Sequence, residues 1–128
     1  MSQLTEGAIA LLGSGVAGMQ NGDGKTTIYT VPPEKKAIVT AIVVREPTAS
    51  LADGADFDFG DGVDADTWKT TVDLSGLTGS DDYMEIKNDA AVVAAVFVAG
   101  AEIGVKPATG ATADAEATID IFGYEINA

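Results

Sequence analysis

Apolar and polar residues alternate with a period of two in short stretches along this chain, and β-branched residues crowd into the same stretches. No long segment repeats at helical spacing. The pattern predicts strands at Ala8–Leu12, Thr26–Val31, Lys36–Arg45, Ala55–Phe59, Thr67–Leu74, Tyr83–Lys87, Ala91–Ala99, Glu102–Lys106 and Ala117–Ile126. The stretches between them are turn-formers: NGDG, VPPE, EPTASLADG, GDGVDAD, SGLTGSDD, KNDA, AGAE and KPATGATAD. Eight or nine short strands in a chain of 128 residues imply one all-β domain. The architecture expected is a two-sheet antiparallel β-sandwich, jelly-roll-like, with an immunoglobulin-like topology as the other option.

Two of these stretches depart from simple alternation. In IYTVPPEKK, Pro32 and Pro33 cannot donate to a ladder, so the strand ends there and Glu34, Lys35 and Lys36 mark a solvent corner. The strand beyond it, AIVTAIVV, is apolar on both parities: Ile38 and Ile42 share one, Val39 and Val43 the other. A strand of this kind is covered by the opposite sheet on one side and by loops or a subunit on the other. In ATIDIFGYEI the apolar parity switches at Gly123. A β-bulge at Phe122–Gly123 would restore a single inward face, and burial on both sides is the alternative.

Charge and composition narrow the partners. Twenty acidic and seven basic residues give a formal charge of −13, whose field repels nucleic-acid phosphates and anionic lipid. Without cysteine there is neither a disulfide nor a thiolate, and without histidine no general base that titrates near neutrality. The serines lack an elbow-like context, and a glycosidase-style carboxylate pair would be an arbitrary choice among many aspartates. No enzymatic activity is expected. The apolar run AIALLGSGVAGM has no basic region before it and is too short to span a bilayer, so synthesis in the cytoplasm without export is expected.

Two motifs suggest ligands. GSGVAG, with Gly13, Gly15 and Gly18, has dinucleotide-fingerprint spacing, but MQNGDGKTT breaks any helix that could receive a pyrophosphate, so no nucleotide cofactor is expected. DGADFDFGDGVDAD holds Asp53, Asp56, Asp58, Asp61, Asp64 and Asp66, a set able to offer oxygen ligands to Ca2+. The spacing is not that of an EF-hand. With Phe57 and Phe59 pointing to the core, Asp56 and Asp58 point outward, and a solvated acidic face is the competing account. Trp68 reads as a core or interface anchor.

The run TTIYTVPPEKKAIVTAIVVREPTAS, followed by ADFDFG and DYMEI, resembles a pattern of small phage virion proteins, in which a T-x-Y-T-V-P strand, a charged turn and an A-x-V-T strand open a β-sandwich. It covers about Lys25 to Ile86, and its acidity is not part of the pattern. The resemblance implies a capsid decoration (cement) protein of jelly-roll-like fold, bound to the major capsid protein on the virion surface. It carries no catalytic residue, and a symmetric homo-oligomer, a trimer, is the expected assembly. Residues 1–24, glycine-rich and apolar, are then a first strand or an arm that orders against a neighbour, and residues 25–128 are the sandwich. A carbohydrate- or Ca2+-binding module of a tail or fibre is the alternative function.

Overall fold

The computed structural model describes residues 9–87 and 96–128. Their strands are β1 (Ala10–Gly18), β2 (Thr26–Thr30), β3 (Lys35–Arg45), β4 (Asp56–Gly60), β5 (Lys69–Val72), β6 (Tyr83–Lys87), β7 (Val96–Val98), β8 (Glu102–Thr109) and β9 (Glu116–Asn127). Every pairing between them is antiparallel. The first sheet runs β1-β9-β3-β6, with β7 also on β3, and the second runs β2-β8-β4-β5.

β6 and β7 occupy one edge of β3 in succession: Ala41–Arg45 pair with β6 and Lys36–Ile38 with β7. Taken as one interrupted strand, they leave eight strands in sheets ordered first-eighth-third-sixth and second-seventh-fourth-fifth. This is the jelly roll, two Greek keys folded into a sandwich. Part of the predicted Ala91–Ala99 strand lies outside the described residues, and its end is β7.

The chain corner follows its sequence. Pro33 and Glu34 occupy the centre of a turn closed from Lys35 N–H to the Pro32 carbonyl, and Glu34 has φ +63°. Proline at the second turn position and a positive φ at the third are the type II pattern.

The core is the space between the sheets. Ala37, Val39, Ile42 and Val44 from β3, with Ile119 and Ile121 from β9, face Phe57, Phe59, Ile103 and Val105 of the second sheet, all fully buried. This inward set corrects the parity expected for β3. Val39 pairs with Gly123 but Ala41 with Phe122, so Thr40 is an extra residue and the faces exchange across it. Val39 and Ile42 therefore point inward, while Ile38 and Val43 point outward and are half-buried.

A related correction applies to β9. It carries no bulge of its own: Ala117, Ile119, Ile121 and Gly123 keep the inward parity, and Phe122, Tyr124 and Ile126 stay outside. Its neighbours hold the extra residues, Leu12 in β1 opposite Ile121–Phe122 and Thr40 in β3 opposite Phe122–Gly123.

β3 supplies a direct check. Val39→Ala and Ile42→Ala should each cost roughly 2–4 kcal/mol through lost burial and a cavity. Val43→Ala should cost under about 1 kcal/mol in denaturant unfolding. Equal losses at Val43 and Ile42 would refute the exchange of faces at Thr40.

Candidate functional site

The six aspartates of the acidic segment do not converge on one point. Asp53, in the turn before β4 with φ +71°, accepts a hydrogen bond from Thr112 Oγ1 at 2.8 Å. Asp61 is held by Thr67, whose hydroxyl donates to its Oδ1 and accepts from its backbone N–H. Asp64 pairs with Lys106 Nζ at 3.1 Å. Asp56 and Asp58 stand two apart on the outer face of β4, half-buried, while Phe57 and Phe59 fill the core as the alternation predicts.

Burial raises the Asp58 pKa, against a hydrogen bond from Thr71 N–H that lowers it, and the neighbouring Asp56 and Asp66 charges raise it further. Asp56 Oδ1 is buried with no hydrogen-bond partner among the described residues. Among those residues no group of three or more acidic side chains is arranged to hold a metal ion.

The pair has a pH signature. A folded-state pKa above the unfolded one means that the charged form of Asp58 opposes folding, so stability is gained as pH falls through the raised value. Asp58→Asn keeps an acceptor for Thr71 and removes the charge. It should raise the unfolding free energy at pH 7 by about 1 kcal/mol or less after solvent screening, read from denaturant melts, with the advantage shrinking towards pH 4. A gain independent of pH would reject the carboxylate repulsion.

GSGVAG has a packing role. Gly13 and Gly15 lie within β1, facing β2: a Cβ on Gly13 would stand 2.9 Å from the Ile28 carbonyl oxygen and from Tyr29 Cβ, and one on Gly15 3.4 Å from Ile28 Cδ1. The glycines let the edge of one sheet approach the edge of the other. Inside this corner Tyr29 donates its hydroxyl to Glu125 Oε2 at 2.6 Å. Burial pushes the phenol pKa upward, assisted by the Glu125 hydrogen bond and charge.

Two surface features remain. The second sheet carries an open cleft of about 640 Å3 lined by Lys25, Thr27, Asp61, Glu102 and Lys106 with three glycines. Its lysines are engaged, Lys25 Nζ with the Glu102 carbonyl and Lys106 with Asp64. No aromatic ring lines it, so it has no platform for a sugar.

The outer face of the first sheet is different in kind. Leu11, Val16, Val96 and Val98 are more than half exposed there, and Ile38, Val43, Phe122 and Tyr124 are half-buried between them. A groove of about 360 Å3 crosses this strip beside Ala41, Val43 and Phe122. At one end Asp120 binds Ser14 Oγ at 2.6 Å and Arg45 Nε at 2.7 Å, and Arg45 also pairs with Glu46. Burial works to raise the Asp120 pKa, but the hydrogen bonds from Arg45 and Ser14 and the Arg45 charge hold it below the usual carboxylate value. Sequence reading found the apolar second face of β3 but missed this ion pair, because Arg45 and Asp120 are brought together by the β3–β9 ladder.

No protein-family model matches the chain, and no curated protein matches it. Among solved structures, it superposes on a chain of the cyanophage Pam1 capsid asymmetric unit with a TM-score of 0.56 at 17% identity, covering 93% of this chain and 86% of that one. It also superposes on a chain of the acidic stable capsid structure of Helicobacter pylori bacteriophage KHP30 with a TM-score of 0.51 at 9% identity, over 94% of this chain and 98% of that one. At these identities the likeness is one of fold, and it runs nearly the full length of all three chains.

Proposed function

We propose that the chain is a non-enzymatic virion structural protein of the capsid decoration type, which binds the major capsid protein on the outside of a phage head. The observation that carries this reading is the likeness to two chains from phage capsid structures over more than nine-tenths of this chain. Two features support it. The opening strands resemble those of small virion proteins, and neither histidine nor cysteine is present to do chemistry. An acidic outer surface would also keep particles apart in suspension.

The test is co-assembly. Produced together with the major capsid protein of the same phage, the chain should sediment with assembled heads at a fixed stoichiometry, and heads made without it should dissociate at lower temperature. Heads that exclude the chain, or incorporate it with no change in stability, would reject the role.

A further inference from the structure

The outer face of the first sheet differs in charge from the rest of the molecule. Of the side chains that the ladders direct outward there, Lys36, Arg45 and Lys87 are cationic, against the carboxylates Glu85, Glu116 and Asp120. A chain with 20 acidic and 7 basic residues thus has one nearly neutral sheet face, and it is the face with the exposed apolar strip.

The charges on it are also ordered along the strands. Lys36 lies at the beginning of β3, between Ile126 and Val98. At the other end of β3 Arg45 is neutralised by Asp120 and Glu46, and beyond it Asp81 borders a hollow shared with Val43 and Tyr83. One end is therefore positive and the other negative, with Val43, Phe122 and Leu11 between. Such a face is complementary to itself when one copy is turned end for end.

We propose that this face binds a second copy of the chain, sheet against sheet, about a two-fold axis that lies in the contact plane and runs across the strands. Lys36 of each copy then stands over the Glu46–Asp81 end of the other, and the apolar strips meet in the middle. The contact is isologous and closes at two copies, a departure from the trimer expected from sequence. The remaining acidic surface, on the second sheet and the loops, points away from the partner, where counterions screen it within about 10 Å.

Size is consistent with this. Four strand positions at about 4.8 Å spacing and a β3 of 11 residues at about 3.3 Å rise span about 700 Å2. A standard stable interface buries about 800 Å2 per partner. The inference does not rest on the virion reading, since a head-binding protein could equally be a monomer.

Light scattering of the purified full chain at micromolar concentration and physiological salt should give twice the chain mass. Val43→Asp places a charge in the strip and should yield a monomer whose thermal melt is that of a folded protein. Lys36→Glu, at an exposed position remote from the core, should weaken association at least about tenfold. Adding Asp81→Lys should restore it, because each end then meets its complement again. A wild-type monomer, a trimer, or a dimer indifferent to Val43→Asp and Lys36→Glu would overturn the proposal. So would failure of the double charge reversal to recover association, and a wild-type monomer that still bound heads would assign the strip to the capsid protein instead.

Discussion

Trp68→Ala should destabilise the isolated chain by about 3–5 kcal/mol, a large part of the 5–15 kcal/mol that holds a domain of this size together. Trp68 is fully buried although it lies in the connection between β4 and β5. Its N–H bonds the Phe59 carbonyl at 2.9 Å, which fixes it to the second sheet. Its indole Nε1–H reaches the Val39 carbonyl at 3.2 Å, on the first sheet beside the Thr40 bulge. The side chain thus fills the sandwich and ties its layers with one directed hydrogen bond. Trp68→Phe retains most of the apolar volume and loses the donor, and should cost about 1–2 kcal/mol. Urea unfolding of both variants separates the contributions. A loss below about 1 kcal/mol for the alanine variant would mean that Trp68 is not a core residue.

Nearly all of this architecture is legible in the sequence, because a sandwich with one buried face per strand writes a period of two into the chain. All nine expected strands have counterparts at or near their places. The displaced boundaries have local causes. β1 runs on to Gly18, beyond the expected Leu12, because glycines that read as breakers are the residues that permit close approach to β2. β8 passes through Pro107 to Thr109, where a shift in the β4–β8 register accommodates a residue without an N–H. β5 starts after Trp68, whose side chain fills the core ahead of the strand.

The acidic segment was less legible. Six aspartates within fourteen residues suggest convergence, but β4 and the turn after Gly60 send them to different places, and Thr112, Thr67 and Lys106 engage three of them. Their partners lie on other elements or across a turn, which linear spacing does not encode. For the same reason the ionic end of the outer face is absent from any sequence motif. Arg45 and Asp120 are 75 residues apart and meet only because β3 and β9 are neighbours.

Gly123→Ala should be among the most damaging single-methyl additions available, costing about 3 kcal/mol or more, beyond the usual penalty for overpacking because backbone has to move. An added Cβ would lie 1.9 Å from the Ile38 carbonyl oxygen and 3.1 Å from Val39 Cα, and neither atom belongs to a side chain that could swing aside. Its inward parity leaves no solvent side to escape to. The sequence shows why the position is tight. Apolar parity switches here, and a bulge within β9 would have opened the ladder to let Phe122 turn inward. The extra residues instead sit on both flanks, at Leu12 and Thr40, and draw β1 and β3 in around an unbroken β9. Phe122, Tyr124 and Ile126 consequently remain on the outer face, where they help build the apolar strip. Gly123→Ala should therefore lower the melting temperature, while Phe122→Ala should leave it nearly unchanged and weaken association between copies. If the two variants proved equally destabilising, Phe122 would belong to the core and the bulges would have been assigned to the wrong strands.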